Sequence, residues 1–442
     1  MRRPTFKNGR PSGPSAQTDP ALLSPRLAGE IGSAREVFEA CPADPLVRIA
    51  RLRELLPEAE ARAAIELFVA RERAEGKLPQ ADRWWLSRRG LEQSSHQLVA
   101  RWRARRIARR IQSGFTVHDG TCGLGMDALA LLEASSAAGF QVVASDRDPV
   151  TAGLAARNLA TFDWPGRVLC AEALSRAVQA EYALFDPDRR SGTGGDERRR
   201  SDPRFGSPNL GALIERSQEL RGTVWKLAPG VPIQDLEELR ALARETRLEW
   251  MAVGRGREVA ETCVLTGELA EHAGRRSAVL LRGGLQAEFS STAPDPELDP
   301  LDAHDLDDLT WIGIPHPSLI AARLLGSAGT ELGARPLGPG LGWFGAGGVA
   351  PGGAATQGGA SAPFWRIYRI LDTCPADRKR IRSLLARHGI GPLQALTRGH
   401  PVAAAEIEKR HSSANGKKGT LLVARTTRGQ RAYLVEETRP HS

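Results

Sequence analysis

Four acidic residues each follow a short β-like run in the middle of the chain. Asp119 ends "FTVHD", Asp146 ends "QVVASD", Glu172 ends "RVLCAE" and Asp186 follows "YALF". The carboxyl ends of parallel strands meet at one edge of a sheet, where open α/β sheets bind their ligands. Carboxylates there can accept hydrogen bonds from ribose hydroxyls or from amino groups. Any one of these acids could be a helix N-cap, but their shared position predicts a ligand site.

A glycine-rich turn, "DGTCGLG", follows the first of these runs, with glycines at Gly120, Gly123 and Gly125. Its spacing excludes a P-loop and disfavours the dinucleotide pattern G-x-G-x-x-G, although Ala128 at the last position is a tolerated replacement. A carboxylate beside the turn would repel a pyrophosphate. It can, however, bind the ammonium group of S-adenosylmethionine, and both Asp119 and Asp127 are placed to do so. The residues therefore favour S-adenosylmethionine.

The composition is that of a soluble globular protein with two or three domains, since 442 residues are 41% hydrophobic and 26% charged. We expect a cytoplasmic protein, because we find no secretory signal, no apolar run long enough to span a membrane and no paired cysteines. The scattered cysteines also predict no metal site. The net charge of +9 comes mainly from arginine and favours a nucleic-acid partner. A GC-rich genome would produce the same composition.

The flanking patterns predict the elements that position these residues. Residues 1–34 are rich in Pro, Gly, Ser and Arg and are predicted to be disordered. Apolar spacing then predicts helices from Pro45, from Pro57 and over about 90–112, the last either broken or buried on two sides. From Phe115 to about 283, alternating β and α runs predict a parallel, doubly wound sheet with crossover helices.

The remainder of the chain is predicted to hold a connector, a linker and a small domain. The acidic, Pro-rich run before "TWIGIPHPSLIAARLL" is typical of a connector, and residues 345–361 of a flexible Gly-rich linker. The last 80 or so residues predict β-α-β-α-β-β, with helices at about 376–388 and 401–411. Trp84 and Trp85 are interpreted as core residues, and His316 as structural.

The motifs "VHDGTCGLGMDALAL", "VVASDRDPVTAGLAARNLA" and "ALFDPDRR" resemble those of class I S-adenosylmethionine-dependent methyltransferases. The chain more narrowly resembles a bacterial group with a DP-x-RR motif and a C-terminal THUMP-like domain, over most of residues 75–440. "VWKLAPGV", "IPHPSLIAARL", "LTRGHPV" and "KKGTLLVAR" are part of this likeness. The resemblance implies a Rossmann-like seven-stranded core, a small ferredoxin-like segment at about 285–335 and RNA as the substrate class.

Combining the patterns and the resemblance, we predict six regions. They are a disordered tail at 1–34, a helical region at 35–112, a methyltransferase domain at 113–284, a connector with the ferredoxin-like segment at 285–344, a Gly-rich linker at 345–361 and a THUMP-like domain at 362–442.

The predicted S-adenosyl-L-methionine contacts follow these motifs, with Thr121 standing where the usual D-x-G-x-G-x-G pattern has its first glycine. They are Asp119, Gly120, Thr121, Cys122, Gly123, Gly125, Asp146, Arg147, Glu172, Ala173, Asp186 and Pro187.

The residues at the fourth strand limit which atom could receive a methyl group. Asp186-Pro187 lacks the second proline and the aromatic residue of enzymes that methylate exocyclic amines, and no cysteine stands nearby for attack on cytosine C5. Asp186 with Lys226 and Glu258 or Glu261 partly matches the Lys-Asp-Lys-Glu set of ribose methyltransferases. The predicted catalytic residues are Asp186, Arg189 and Lys226.

Basic residues near the fourth strand and in the C-terminal domain are predicted to contact RNA phosphates. They include Arg189, Arg190, Arg398, Lys417 and Lys418, together with the run of basic residues from Arg378 to Arg387. A solvated charged surface and local ion pairs are the competing interpretations. Two alternative functions stay open: methylation of a small molecule or protein, and RNA binding by a degenerate, non-catalytic core. The sequence does not predict an oligomeric state.

Overall fold

The computed structural model describes residues 18–42, 44–164, 166–187, 204, 206–229, 248–255, 257–351 and 359–438. The chain divides into two compact units, Met1–Asp186 and Pro187–Ser442. The boundaries predicted between the six regions remain predictions.

The first unit opens with a series of helices. They are α1 (Pro25–Gly29), α2 (Ile31–Ala40), α3 (Pro45–Leu52) and α4 (Glu58–Ala74). Ser24 and Asp44 accept backbone N–H groups at the starts of α1 and α3, where proline has no N–H to leave unsatisfied. The predicted disorder of residues 1–34 is therefore wrong from residue 20 onward, while residues 1–17 lie outside the described part. The cause is burial, since Leu22 and Leu27 are fully enclosed.

The predicted helix at about 90–112 breaks and is also buried on two sides. It becomes α5 (Arg88–Gln93) and α6 (Gln97–Ala108). Trp102 and Ile107 of α6 are both buried although they lie on different faces of the helix. Trp84 and Trp85 are buried as well, which confirms their interpretation as core residues.

A parallel sheet with crossover helices completes the first unit. Its strands are β1 (Thr116–Asp119), β2 (Gln141–Asp146), β3 (Arg167–Cys170) and β4 (Tyr182–Phe185), in the order β3-β2-β1-β4. All three pairings are parallel. Helix α7 (Met126–Ala138) links β1 to β2, and α8 (Pro149–Thr161) links β2 to β3. The carboxyl ends of the strands therefore share an edge, as the sequence predicted.

The second unit begins with α9 (Leu210–Glu219) and strands that are not all parallel. These are β5 (Gly222–Leu227), β6 (Leu248–Arg255), β7 (Glu258–Thr266), β8 (Arg276–Arg282) and β9 (Leu285–Ser291), in the order β5-β7-β6-β8-β9. Strand β7 runs antiparallel to β5 and β6, and β9 runs antiparallel to β8. The prediction of a wholly parallel sheet is thus wrong here, because β7 and β9 are joined to the preceding strands by short connections and were not recognised.

A second sheet contains the C-terminal strands. Its strands are β10 (Trp311–Pro315), β11 (Arg335–Pro336), β12 (Phe344–Ala346), β13 (Trp365–Pro375), β14 (Ile390–Arg398), β15 (Lys417–Thr426) and β16 (Gly429–Glu437). They are ordered β11-β12-β10-β13-β16-β15-β14. The helices of this part are α10 (Ala303–Asp307), α11 (Pro317–Ala321), α12 (Leu325–Glu331), α13 (Arg378–Arg387) and α14 (Ala404–His411).

The predicted connector and linker contribute strands to these sheets. Strand β9 pairs with β8, while β10 pairs with both β12 and β13. The ferredoxin-like segment expected at about 285–335 is therefore not a separate small sheet. The Gly-rich linker expected at 345–361 begins inside β12, and residues 352–358 lie outside the described part. From β13 onward the order β-α-β-α-β-β is the predicted one.

A buried ion pair joins α6 to α7, and its loss should destabilise the first unit. Arg103 is 3% exposed and pairs with Asp127, which also accepts a hydrogen bond from Ser95 at 2.8 Å. Replacing Arg103 by Ala leaves a buried carboxylate without its cation, so we expect the free energy of unfolding to fall by about 3–5 kcal/mol. Urea denaturation followed by circular dichroism measures this change.

Arg101 provides the matched control on the same pair of helices. It pairs with Glu133 at 2.9 Å, and both side chains are about one-third exposed. We expect Arg101→Ala to cost only about 0.2–1 kcal/mol. Equal losses for the two variants would contradict a special role for the buried pair.

Candidate cofactor-binding site

The glycine-rich turn is hydrogen-bonded to the ends of both neighbouring strands. Gly120 N–H donates to the carbonyl of Leu184 at 3.0 Å, and Cys122 N–H donates to that of Ser145 at 2.9 Å. Gly123 N–H donates to a carboxylate oxygen of Asp146 at 3.2 Å. The turn is therefore fixed to β4 on one side and to β2 on the other.

Thr121 makes the remaining contact of this set. Its hydroxyl oxygen accepts a hydrogen bond from the backbone N–H of Asp186 at 2.6 Å. The register explains the contact, because Asp119 is paired with Ala144 of β2 and with Leu184 of β4. Thr121 is two residues beyond Asp119, and Asp186 is two residues beyond Leu184. The two residues therefore continue the same register past the carboxyl ends of the strands.

The backbone explains which positions of the turn need glycine. Gly123 and Gly125 have φ angles of +54° and +91°, which other residues rarely adopt. Gly120 is restricted by space, because a Cβ there would stand 2.7 Å from the carbonyl oxygen of Ala173 and from the Phe185 ring. A Cβ at Gly123 would meet nothing within 4 Å. That side of the turn therefore leaves room for a ligand to approach the backbone.

Two carboxylates near the turn are candidate partners of a ligand ammonium group, and their surroundings differ. Asp127 is bonded to Arg103 and Ser95, so its charge is already compensated inside the protein. The alternative that Asp127 binds the ammonium group is therefore disfavoured. Asp119 is fully buried at the end of β1, directly before the turn. It remains the predicted partner.

Asp146 connects the turn to the start of α8. One carboxylate oxygen accepts from Gly123 N–H, and the other accepts from Asp148 N–H at 2.9 Å. Burial raises the pKa of the Asp146 carboxyl above its ordinary value, while these two N–H donors act in the opposite direction. Each oxygen keeps a second lone pair that could accept a hydroxyl proton.

The third strand contributes a more open part of this edge. Glu172 is exposed, and the carbonyl of Ala173 lies against Gly120. Arg147 is also exposed, and its backbone carbonyl accepts a weak hydrogen bond from Cys170. Glu172 is therefore accessible to a ligand at the edge, whereas Ala173 shapes the turn through its backbone.

Cys122 is buried in the turn and is a poor nucleophile. Burial raises the pKa of its thiol well above the ordinary value, and the charges of Asp119 and Asp146 act in the same direction. A neutral, enclosed thiol agrees with its interpretation as a packed residue.

The other predicted catalytic residues belong to the second unit or lie outside the described part. Lys226 is 7% exposed and is paired in register with Cys263 of β7. Glu261 is also buried, and the Cys263 thiol donates to it at 2.9 Å. These three side chains share one face of β5 and β7, whereas Glu258 is exposed. Of the two glutamates that could complete the predicted set with Asp186 and Lys226, this arrangement therefore favours Glu261 over Glu258.

Pro187 is buried. Arg189 and Arg190, and most of the basic stretch after them, lie outside the described residues.

Asn158 is a structural residue of the site that the sequence did not indicate. Its amide group accepts from Trp85 N–H at 2.6 Å and donates to the carbonyls of Trp85 at 3.1 Å and Leu124 at 3.0 Å. Leu124 in turn packs closely against Gly90 of α5. A polar residue on the inward face of α8 was the available signal. Asn158 thus joins the N-terminal helices to the far end of the turn.

The residues present fit S-adenosylmethionine. The turn offers an open glycine face at Gly123, and Asp119, Asp146 and Glu172 follow one another along the same edge. This donor set suits a ligand with an ammonium group, ribose hydroxyls and an adenine amino group. No group of His, Cys, Asp and Glu side chains in the described ranges could hold a metal ion.

The C-terminal sheet carries an exposed basic helix. Helix α13 exposes Arg378, Lys379, Arg380, Arg382 and Arg387. Arg380 is paired with Asp377, and Arg387 with Asp372. The other three have no acidic partner within 4 Å among the described residues. Lys417 and Lys418 are exposed at the start of β15, whereas exposed Arg398 donates to the carbonyl of Leu341 at 2.8 Å.

Comparison with known proteins agrees with this description. Residues 365–437 match the THUMP domain-like family. Two relatives from Mycobacterium tuberculosis, strains CDC 1551 / Oshkosh and H37Rv, are each 28% identical over 377 residues, covering 84% of this chain and 94% of theirs. Both are named uncharacterized S-adenosylmethionine-dependent methyltransferases. Their names agree with the predicted cofactor.

A crystal structure of a proposed methyltransferase from Porphyromonas gingivalis W83 has the same fold. It is 18% identical, with a TM-score of 0.66 over 96% of this chain and 100% of that one. The predicted α/β fold class is thereby confirmed: a Rossmann-like methyltransferase core with an N-terminal helical region. No described helix is long and apolar enough to cross a membrane. The chain is therefore a relative of the S-adenosylmethionine-dependent methyltransferases, with a THUMP-like domain at residues 365–437.

Proposed function

We propose that this protein binds S-adenosyl-L-methionine and methylates RNA, with transfer at the carboxyl edge of the sheet near Asp186. The observation that carries the proposal is the turn itself, which is bonded to Asp146 on one side and to Asp186 on the other. A cofactor held at Asp146 would thus lie beside the segment that receives the substrate. The names of the two mycobacterial relatives support the cofactor.

Each residue of the edge has a defined task in this proposal. Bound S-adenosylmethionine would supply a methyl carbon to the nucleophile's electron pair, with the C–S bond electrons passing to sulfur. Asp119 would hold the ammonium group, Asp146 the ribose hydroxyls and Glu172 the adenine amino group. Asp186 would orient the nucleophile and take its proton where there is one to lose. Lys226 and Arg189 are the further candidates for the transfer step.

RNA is favoured as the substrate class by the charge of the C-terminal part. Arg378, Lys379 and Arg382 project from α13 without acidic partners within 4 Å in the described ranges. Such a surface can follow a phosphate backbone. The THUMP-like match includes this helix. Lys417 and Lys418 are further candidate phosphate contacts, as are Arg398, Arg189 and Arg190. We propose a cytoplasmic location for this enzyme, as the scattered cysteines predict.

The methylated atom can be identified by comparing RNA with and without this protein. Nucleoside mass spectrometry of total RNA from a strain that lacks the gene should reveal one missing methylated nucleoside, restored by the wild-type gene. RNA without any such change would favour a small-molecule or protein substrate. Failure of the purified protein to bind S-adenosylmethionine in calorimetry would leave a non-catalytic RNA-binding protein.

Asp146→Ala should weaken cofactor binding, because ribose hydroxyls would lose their acceptor. We expect a loss of about 1–3 kcal/mol in binding free energy, measured by calorimetry with S-adenosylmethionine. Asp148→Ala is the control, since its carboxylate accepts from Val150 N–H and the Thr151 hydroxyl instead. Equal affinity of Asp146→Ala and the wild type would remove Asp146 from the site.

Cofactor binding should also depend on pH through the raised pKa of Asp146. As the pH falls through that pKa, the carboxylate gains a proton and becomes a poorer acceptor. We therefore expect affinity to decline at a pH higher than an exposed aspartate would require. Calorimetric titrations across the acidic range test this, with Asp146→Asn as the variant in which this residue cannot titrate. The same decline in both proteins would assign the effect to another group.

Neutralising α13 should weaken RNA binding in a salt-dependent way. The slope of log K against log salt is negative for RNA binding. We expect an Arg378→Gln, Lys379→Gln, Arg382→Gln variant to make it less steep by about 0.7–0.9 for each phosphate that the helix no longer neutralises. Fluorescence anisotropy with total tRNA or an rRNA fragment measures the slope. This design is preferable to deleting residues 362–442, because β13 pairs with β10 and the deletion would unpair that strand.

The matched control changes the same number of charges elsewhere. Arg35, Arg51 and Arg62 are exposed on the N-terminal helices and pair with Glu39, Glu54 and Glu58 respectively. Their replacement by Gln should leave the salt slope near that of the wild type. An equal reduction in both triple variants would point to net charge rather than to α13.

A further inference from the structure

The geometry points to Thr121 as a positioning residue that sets Asp186 for methyl transfer. The inference rests on the proposed methyltransferase function and extends it to a residue that breaks the usual glycine pattern. Its basis is the hydrogen bond from Asp186 N–H to the Thr121 hydroxyl oxygen, 2.6 Å long. Through this contact the turn that would hold the cofactor also holds the first residue after β4.

The contact continues the pairing of the sheet beyond its last strand residues. Gly120 N–H donates to the carbonyl of Leu184, and Asp186 N–H then donates back to the side chain of Thr121. A glycine at position 121 would offer no side-chain acceptor to the amide of Asp186. The threonine hydroxyl supplies one.

The backbone at position 121 has no need of a glycine. The residues of the turn with left-handed φ angles are Gly123 and Gly125, and the residue whose Cβ would collide is Gly120. Thr121 is in neither group, so a side chain fits there without backbone strain. The position is therefore free to carry a side chain that contacts the neighbouring strand end.

The hydrogen bond restrains the backbone of Asp186, the residue proposed to orient the substrate. Asp186 is partly exposed, and its backbone position fixes where its carboxylate and the following proline begin. An error of about 1 Å in placing a group of this kind can slow transfer by about 100-fold. Thr121 would act on the rate through Asp186, and not as the cofactor contact that the motif predicted.

The test compares Thr121→Val, which removes the acceptor while keeping the shape, with Thr121→Ser, which retains the hydroxyl. The single-turnover rate is measured with tritiated S-adenosylmethionine at saturation and RNA from a strain lacking the gene. We expect Thr121→Val to lower this rate by about 10- to 100-fold. Its calorimetric affinity for S-adenosylmethionine should stay within about threefold, and Thr121→Ser should restore most of the rate. A lower rate with a nearly unchanged cofactor affinity would distinguish a role in positioning Asp186 from general damage to the turn.

Hydrogen–deuterium exchange provides a readout that does not depend on activity. Peptides covering residues 182–187 should exchange faster in Thr121→Val than in the wild type or in Thr121→Ser. Thr161→Val is the control, because its hydroxyl bonds to the carbonyl of Arg157 at the end of α8, within that helix. It should change neither the exchange of this peptide nor the rate.

Three results would overturn the inference. They are unchanged exchange at 182–187, an unchanged rate in Thr121→Val, and a loss of cofactor affinity as large as the loss of rate. The last result would make Thr121 a cofactor contact. A wild-type protein that neither binds S-adenosylmethionine nor transfers its methyl group would instead sink the proposed function, and the inference with it.

Discussion

The glycine-rich turn can exist only because the ends of two neighbouring strands hold it in place. A turn with two left-handed glycines has little stability of its own, since glycine loses more backbone entropy on folding than any other residue. Hydrogen bonds to Ser145 and Asp146 on one side, and to Leu184 and Asp186 on the other, offset that loss. The same bonds bring two carboxylates to the turn, so the contacts that stabilise it also assemble the candidate site.

The N-terminal helices support this turn from the opposite side. Asn158 ties Leu124 to the backbone of Trp85, and Arg103 of α6 neutralises Asp127 at the start of α7. A buried carboxylate costs much less when a cation and a hydroxyl group satisfy it. Asp127 therefore serves the packing of α6 on α7. Asp119 remains the proposed partner of the ligand. The N-terminal helical region therefore helps to hold the candidate site in place.

Much of the fold and site could be predicted because their signals are local. A short apolar run ending in an acid marks a strand end whatever surrounds it, and four such runs gave the edge of the sheet. The first of them is also followed by the glycine-rich turn. The β-α-β-α-β-β order after Trp365 was equally readable from alternating patterns. What could not be predicted depends on distant partners. Strand β7 was missed because Glu261 interrupts its apolar pattern, and only the fold shows that this glutamate is buried beside Cys263.

The N-terminal segment and Thr121 are two further places where the sequence pattern alone was an insufficient guide to the structure. Proline and glycine near residues 20–34 favour disorder when composition alone is considered, yet Leu22 and Leu27 are enclosed, and Arg157 of α8 donates to the carbonyl of Leu22 at 2.8 Å. Thr121 departs from a sequence pattern without violating any backbone requirement, because the constraint on glycine is conformational at 123 and 125 and steric at 120. The motif therefore requires glycine at a position only where the backbone φ angle or a neighbouring atom excludes a side chain. Where neither does, as at position 121, the side chain is available to connect the turn proposed to hold the cofactor to the strand end proposed to receive the substrate.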